Sequence, residues 1–340
     1  MTYHFRNLIF EGGGVKGIAY LGALEALENK GITAAIDRIG GTSAGAINAV
    51  LLGLNYANDE TRDILWGLDF NAFMDDSWGL VQDTQRLLQD YGWFKGDYFR
   101  DWIGRIIQAK TGNTQSTFAD IEAMASGRGF KSLYFIGTNL STGFSEVFSA
   151  EHTPRSCVAD AVRISMSIPL FFSAPRSTRG DVYIDGGVLN NFPIKLFDRR
   201  KYIDTDHYQQ TDYYNRVNTR FEGVARPISN YVYNKETLGF RLDTHQEIAQ
   251  FRDHAEPPHR NIDSFFDYGW ALIETMLEAQ ASKHLHSDDW ARTVYIDSLG
   301  VGTTDFDLAN DTKLALIEAG KNGVKRYFEW YDSAAMTLDK

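Results

Sequence analysis

The sequence predicts an α/β fold with a mostly parallel sheet, and its N-terminal part provides the main observations. Residues 7–10, NLIF, form a short apolar run that leads directly into the glycine-rich stretch 11–17, EGGGVKG. A helical stretch follows and should end at Gly31, because glycine often terminates helices. A second apolar run, at 36–39, leads into a second glycine-rich turn and a second helix. Strand, helix, strand and helix in this order are typical of a parallel sheet with helices packed on it.

The helix after the second strand is predicted to be buried. Its segment Ala46–Leu54, AINAVLLGL, is apolar nearly all round, and a helix with apolar side chains on every face belongs in the interior. This longest apolar run has about half of the roughly 20 residues that a membrane-spanning helix needs. We therefore expect no membrane span.

The later elements are predicted from periodicity and composition. Residues 60–125 read as mostly helical and are rich in aromatics, which we interpret as core because large aromatic side chains are highly buried on average. An acyl channel or a membrane contact built from the stretch Trp66–Trp102 stays open. Strand signals return in SLYFIGTNL, EVFSA, DVYID, TLGFRL and TVYID, SMSIPLFFSAP reads as an apolar loop, and a closing helix is predicted over 311–331.

We expect a single domain over 1–340, with the motif-bearing core at 7–195 and a less certain part at 196–340. The Tyr-rich stretch 198–235 is weakly periodic. It is interpreted either as a mobile lid or as a packed connection.

Composition excludes several classes of function. The net charge of -11 over 340 residues argues against broad binding to the phosphate backbone of nucleic acid. The lone cysteine, Cys157, allows no intramolecular disulfide and fits a reducing compartment. The N-terminal residues lack the long apolar stretch of a signal peptide. We expect a cytoplasmic protein, peripheral at a membrane if it contacts one.

The first motif is G-x-S-x-G, which occurs as Gly41-Thr42-Ser43-Ala44-Gly45. This pattern can place a nucleophilic serine on a tight strand-to-helix turn. It can also be an ordinary glycine-rich turn in which Ser43 caps the helix. The motif alone does not decide between the two interpretations.

The second motif, G-x-G-x-x-G, follows the first strand as Gly12, Gly14 and Gly17. It matches the dinucleotide-binding fingerprint, and Asp37 stands at about the required distance. In a dinucleotide site, however, the acid ends the second strand, whereas Asp37 precedes or begins it. The dinucleotide interpretation also leaves Ser43 unexplained and is kept as a minor alternative.

The glycine loop has another chemical use. Its backbone N–H groups and the positive end of the following helix can hold the oxyanion that develops in acyl transfer. The carboxyl ends of parallel strands open on one edge of a sheet, so we expect Gly12–Gly14 and Ser43 to lie close together. Lys16 is interpreted equally as a solvated lysine or as part of this site.

A nucleophilic serine needs a base, and two residue types compete for that role. The eight histidines stand in polar surroundings, none at a clean strand end, and are interpreted as surface residues. They are His4, His152, His207, His245, His254, His259, His284 and His286. Asp185, in contrast, ends the strand YID before Gly186 and Gly187. By itself this is a common Asp-Gly turn.

Together, the three ordered motifs resemble one family, the patatin-like phospholipases, which are serine acyl hydrolases with a Ser-Asp dyad. Further similarity lies in SMSIPLFF, in TLGFRL and in the closing TDFDLANDTKLALIEAG. The likeness touches most of the chain and is stronger over 7–195 than over 196–290. The residues that carry the motifs are Gly12, Gly13, Gly14, Lys16 and Gly17, then Gly41, Ser43 and Gly45, then Asp185, Gly186 and Gly187.

The resemblance implies a three-layer α/β fold and hydrolysis of ester-linked acyl chains of phospholipids or other lipids. Ser43 is then the nucleophile, Asp185 the base, and Gly12, Gly13 and Gly14 the oxyanion donors. Burial near Ile168 is expected to raise the pKa of Asp185 above its ordinary value near 3.9. We expect no metal and no organic cofactor. Some members are bacterial effectors that degrade membranes once a partner or small signal activates them, and the sequence identifies no such activator.

Overall fold

The computed structural model describes residues 3–68, 73, 90–220, 229–243, 261–263, 268–269, 271–273, 275–276, 288–303 and 305–338. The strands are β1 (Asn7–Phe10), β2 (Arg38–Gly41), β3 (Gly92–Phe94), β4 (Ser132–Asn139), β5 (Phe144–Ser149), β6 (Leu170–Phe172), β7 (Tyr183–Asp185), β8 (Tyr208–Gln209), β9 (Tyr233–Asn234), β10 (Thr237–Asp243) and β11 (Thr293–Asp297). The α-helices are α1 (Ala19–Asn29), α2 (Ala44–Gly53), α3 (Asn58–Trp66), α4 (Asp97–Thr111), α5 (Phe118–Arg128), α6 (Val158–Ser165), α7 (Gly187–Asn190), α8 (Asp212–Thr219) and α9 (Asn310–Leu338). Short 3-10 helices span Gly14–Ile18, Thr33–Ala35, Arg200–Tyr202 and Asp288–Arg292.

The central sheet has the strand order β11-β10-β1-β2-β4-β5, with β7 also paired to β4. The pairs from β11 to β4 are parallel, whereas β5 and β7 run antiparallel to β4. All four residues of β1 are buried, as expected for an interior strand of a parallel sheet. The predicted α/β fold with a mostly parallel sheet is confirmed.

Both faces of the sheet are covered. Leu8 and Phe10 of β1 belong to the large core that also contains residues of α1, α2 and α9. Ile9, on the other face, packs in a smaller cluster with residues from the segment 192–202. Since β10 and β11 lie in the same sheet as β1, the arrangement supports a single domain, which stays a prediction.

Two sequence-based boundaries need correction. The second strand is predicted at 36–39 but spans Arg38–Gly41, because Ile36 closes the preceding 3-10 helix and the pairing with β1 begins at Arg38. The predicted apolar loop contains β6, which pairs in parallel with β3. The closing helix is confirmed as α9, although Leu314 is exposed.

The aromatic stretch Trp66–Trp102 is mainly core where the structure describes it. Phe73 and Phe99 are buried, and Trp66, Phe94 and Trp102 pack against the large core. Tyr98 is exposed. Phe70 and Trp78 lie outside the described residues.

The described part of 198–235 favours the packed connection over the lid. Asp198 accepts hydrogen bonds from Arg292 at 2.5 and 2.6 Å, and its carboxylate also accepts one from the Asn234 amide. These three residues are buried near the amino ends of β10 and β11. Ser43 follows the carboxyl end of β2, so this connection and Ser43 lie at opposite ends of the parallel strands.

Candidate active site

The two glycine-rich turns meet at the carboxyl edge of the sheet. β1 and β2 are parallel neighbours with Phe10 opposite Gly41, so the residues after each strand emerge side by side. The approach is close: a Cβ on Gly12 would lie 2.9 Å from the Ser43 Cβ. The predicted proximity of the glycine loop and Ser43 is confirmed.

Ser43 occupies a sharp turn between β2 and α2. Its φ is 53° and its ψ is -127°, in a region that residues with a side chain rarely adopt. Gly45 permits this turn, because a Cβ there would lie 2.4 Å from the Phe10 carbonyl oxygen. The serine is thereby held at the N-terminus of α2, whose partial positive charge favours a developing anion nearby.

Asp185 reaches the same place by a different route. β2 and β7 pair with the same side of β4. β2 runs parallel to β4 and ends with Gly41 opposite Phe135. β7 pairs with the next part of β4 in the antiparallel direction and ends with Asp185 opposite Gly137. The two strands therefore run head to head, and their ends bring Asp185 to the turn that carries Ser43.

The Asp185 carboxylate is buried. Burial raises its pKa to about 7, while the Gly187 amide and the Ser43 hydroxyl act in the opposite direction. Oδ1 accepts a hydrogen bond from the Gly187 amide at 2.7 Å. Oδ2 has no hydrogen-bond partner among the described residues. The direction of this shift agrees with the rise expected from burial, and Oδ2 remains a free acceptor among the described residues.

The Ser43 hydroxyl is held only weakly. It donates to the Met166 sulfur at 3.5 Å, and a thioether is a poor acceptor. The same hydroxyl is near enough to Asp185 to lower the pKa of that carboxyl. The hydroxyl and the carboxylate therefore lie close to each other, with the Met166 sulfur as the acceptor of the hydroxyl in this arrangement.

The three glycines of the loop differ in their backbone amides. The Gly12 amide donates to the Asn191 carbonyl at 3.1 Å, and the Asn191 side chain donates to the Gly12 carbonyl at 3.0 Å. Gly12 is therefore not a free donor, which corrects its predicted role. For Gly13 and Gly14 no acceptor lies within the described part of the chain.

Gly14 needs to be glycine for two reasons. Its φ is +55°, and a Cβ there would lie 2.0 Å from the Thr303 carbonyl oxygen. The Val15 amide donates to that carbonyl at 3.2 Å. The segment containing Thr303 thus fixes the loop from outside.

The motif-supporting residues surround these groups. Lys16 and Gly17 lie in the 3-10 helix after the loop, Gly41 ends β2, Gly45 lies in the first turn of α2, and Gly186 directly precedes Gly187, the first residue of α7. Lys16 is half-buried, and its charge favours the ionised form of Glu11. Half-burial does not match a fully solvated lysine, and a part for Lys16 in the site stays a prediction.

Comparison with known proteins decides the family. The sequence profile described as Patatin-like phospholipase matches residues 8–198, more than half of the chain. The chain belongs to the patatin-like phospholipase family. It is a lipid acyl hydrolase.

Individual relatives agree with this assignment. The uncharacterized protein YqhO of Bacillus subtilis is 30% identical over 94% of this chain and 97% of its own. The probable lipid hydrolase 463L of invertebrate iridescent virus 6 is 26% identical over 67% of this chain and 74% of its own. The crystal structure of VipD from Legionella pneumophila matches with a TM-score of 0.64 at 16% identity, over 96% of this chain and 67% of VipD. This last likeness is one of fold.

A buried charge cluster behind the glycine loop of this patatin-like hydrolase was not predicted. Glu11 precedes Gly12 and accepts a hydrogen bond from the Leu242 amide at 2.8 Å. Arg241 lies 3.8 Å from Glu11 and 2.9 Å from Asp243. Burial raises the pKa of Glu11 to about 8, against the opposing effect of Arg241. The cluster ties the loop to β10.

A small, mostly apolar pocket that opens to solvent adjoins the glycine loop. Its wall includes Gly14 of the loop and Ala44, the residue after Ser43, together with Leu65 and Leu308. Lys313 is the cation among its lining residues. A hydrocarbon chain is the kind of ligand such a surface accommodates.

Within the described residues, neither a dinucleotide site nor a histidine base is found at Ser43. Asp37 precedes β2 instead of ending it, so it does not occupy the ribose-binding position of a dinucleotide site. His152 pairs with Ser149, and His4 stacks on His207 with ring centroids 3.8 Å apart. None of these three contacts Ser43 or Asp185. His245, His254, His259, His284 and His286 lie outside the described residues.

Two features are absent from the described residues, a metal-binding cluster and a membrane-spanning helix. No group of three or more His, Cys, Asp or Glu side chains is arranged to hold a metal ion. Within the same ranges, every helix is too short or too polar to cross a membrane.

Proposed function

We propose that this patatin-like hydrolase cleaves ester-linked fatty acyl chains through a catalytic dyad of Ser43 and Asp185. The observation that carries the proposal is the head-to-head arrangement of β2 and β7, which joins a serine in a sharp turn to a buried carboxylate with a free oxygen. A nucleophile beside a base and close to backbone donors is the minimum geometry for acyl transfer.

The first half-reaction forms an acyl-enzyme. Ser43 Oγ attacks the ester carbonyl carbon while its proton passes to Oδ2 of Asp185. The carbonyl oxygen becomes an oxyanion, which the amides of Gly13 and Gly14 and the N-terminus of α2 stabilise. When the tetrahedral intermediate collapses, the C–O bond to the alcohol breaks, and the alcohol leaves with the proton held by Asp185.

The second half-reaction repeats the chemistry with water. Asp185 accepts a proton from a water molecule, whose oxygen attacks the acyl carbon of the ester on Ser43. Collapse of the second tetrahedral intermediate breaks the bond to Ser43 Oγ, which regains the proton from Asp185. The fatty acid leaves. The two half-reactions need only nucleophilic attack and proton transfer, so the proposal includes no metal or organic cofactor.

The apolar pocket beside Gly14 and Ala44 is proposed to receive the acyl chain. Its lining includes Gly14 of the loop and Ala44, which follows the nucleophile, so a chain in the pocket leaves its ester carbonyl near Ser43. The substrates of the proposal are therefore phospholipids or other lipids with long acyl chains. A cytoplasmic location with transient contact with a membrane surface belongs to the same proposal, supported by the single Cys157, and cell fractionation checks it.

Covalent labelling tests the dyad and the pocket together. A fluorophosphonate should modify Ser43 alone, because only an activated serine attacks its phosphorus. A reagent with a long alkyl chain should react about tenfold faster than a methyl analogue, since burying even two methylene groups contributes about 1.6 kcal/mol. Peptide mapping and the rate of labelling are the measurements.

Two variants separate the pocket from the nucleophile. Leu308→Trp fills the pocket wall and should remove the advantage of the long chain while Ser43 still reacts with the methyl reagent. Leu314→Trp, at an exposed position of α9 outside the pocket, is the matched control and should behave as wild type. A label on any other residue contradicts the dyad. An unchanged chain preference in Leu308→Trp contradicts only the pocket.

Gly13→Ala should lower ester hydrolysis by about 10- to 100-fold, because catalytic groups that move by less than an ångström lose much of their effect. A Cβ on Gly13 would lie 2.6 Å from the Leu242 Cδ1 atom, so the loop must shift, while this flexible side chain can yield enough to permit folding. Gly127→Ala, where a Cβ meets open space, is the control. Turnover of both variants on a soluble ester is the measurement, and equal activity in the two contradicts the oxyanion assignment.

A further inference from the structure

Three consecutive residues, Ser165–Ser167, contact both members of the proposed dyad. The Ser165 hydroxyl accepts a hydrogen bond from the Ser43 amide at 3.0 Å. The Ser167 carbonyl accepts one from the Asp185 amide at 2.8 Å. We propose that this segment sets the distance between nucleophile and base, with Ser165 as a positioning residue. The inference rests on the proposed function of Ser43 and Asp185.

The contact between Ser165 and Ser43 fixes a strained residue. Ser43 has a positive φ, so its turn persists only if surrounding contacts hold it. Both serines are buried, Ser165 completely. Without the Ser165 hydroxyl, the buried Ser43 amide loses its hydrogen-bond acceptor, and a buried unsatisfied amide is costly. The peptide unit of Ser43 is then free to rotate toward another acceptor, and the hydroxyl moves with it.

The segment is itself anchored to the body of the protein. Arg163 donates to the Ser167 hydroxyl at 2.5 Å, and that hydroxyl donates back to the Arg163 carbonyl at 2.7 Å. Arg163 also donates to the carbonyls of Gly96 at 3.1 Å and Ser173 at 3.0 Å. These bonds join α6 to the residues around β3 and β6. A rigid support of this kind is what a preorganised site requires.

The amide of Ser43 is therefore engaged in positioning. It points at Ser165 and is not an oxyanion donor, which leaves that role to the loop amides. The same segment supplies Met166, whose sulfur accepts from the Ser43 hydroxyl. One stretch of chain thus contacts the backbone and the side chain of the nucleophile and the backbone of the base.

Replacement of Ser165 tests this inference in the full-length protein. Ser165→Ala removes the acceptor, and Ser165→Cys keeps the shape with a weaker one. Ser116→Ala is the control: Ser116 is also buried, and its hydroxyl donates at 2.8 and 2.9 Å to Thr111 and Asn113, far along the chain from the site. Measurements are the thermal midpoint, fluorophosphonate labelling of Ser43, and kcat and KM on a soluble short-chain ester over pH.

Ser165→Ala should lower both the labelling rate and kcat by about 10- to 100-fold, with KM and the midpoint of the pH profile unchanged. Ser165→Cys should fall between Ser165→Ala and wild type. Ser116→Ala should lose comparable thermal stability and keep the wild-type labelling rate.

The outcomes are distinguishable. If Ser165→Ala labels as fast as Ser116→Ala, the positioning role is wrong while wild-type labelling at Ser43 still supports the dyad. A shifted pH midpoint with an unchanged plateau also overturns it, because the effect would then act on the proton affinity of the base. Absence of wild-type labelling at Ser43 removes the proposed function and this inference with it.

Discussion

Ser43→Ala is expected to lower the rate of ester hydrolysis by about 10⁴-fold or more, the loss typical of removing the nucleophile of a serine hydrolase. The reason is that a methyl side chain after β2 offers no oxygen to form the acyl-enzyme, while the pocket and the loop amides remain. KM on a soluble ester should change little. Turnover on that ester and fluorophosphonate incorporation, measured on the same preparation, check the prediction.

The strained turn offers an internal control for this variant. Glycine adopts positive φ readily, whereas alanine keeps the strain that Ser43 carries at φ 53°. Ser43→Gly should therefore be as inactive as Ser43→Ala and more stable by about 1 kcal/mol, measured by denaturant unfolding. Substantial activity in either folded variant contradicts the assignment of Ser43 as nucleophile.

The residues of the site that could be predicted are those with a local signal. Ser43 and Asp185 each stand where a strand ends in a glycine-rich turn, and β1 and β2 are close enough in sequence for their parallel pairing to be inferred. The sequence alone could therefore place Gly12–Gly14 beside Ser43. The helix after Ser43 was predictable for the same reason, because its apolar composition requires burial.

The contacts that could not be predicted join residues that are distant in sequence. The position of β7 depends on the fact that β2 and β7 pair with successive parts of the same side of β4. No local sequence pattern indicates this arrangement. Engagement of the Gly12 amide by Asn191 is likewise a tertiary contact. The Ser165 hydroxyl was missed because a serine in an apolar stretch gives no sign of its acceptor role. A buried Ser43 amide needs a hydrogen-bond acceptor, and that requirement is the signal from which such a partner could be expected.

Asp185→Asn is expected to lower the rate by about 10²- to 10⁴-fold, the range that general base catalysis supplies, and to make the protein more stable at neutral pH. The rate falls because an amide cannot accept the Ser43 proton. In the wild type, the raised pKa of Asp185, about 7, means that kcat/KM should fall tenfold per pH unit below that value and level off above it. The variant should lack this inflection.

The gain in stability follows from the same pKa. The folded state holds a proton on Asp185 up to about pH 7, whereas the unfolded chain releases it near the ordinary aspartate pKa of 3.8. The folded state therefore binds more protons in this window, and wild-type stability falls as pH rises through it. The difference amounts to about 4 kcal/mol once both states are ionised. Asp185→Asn removes this destabilisation at high pH, while the similar contribution of Glu11 is the same in both proteins and cancels in the comparison.

Denaturant unfolding at pH 4 and pH 8 should show the variant gaining stability relative to wild type only at the higher pH. An active Asp185→Asn protein would return the role of base to another residue, and an equal stability difference at both pH values would show that Asp185 is already ionised in the folded state near pH 4.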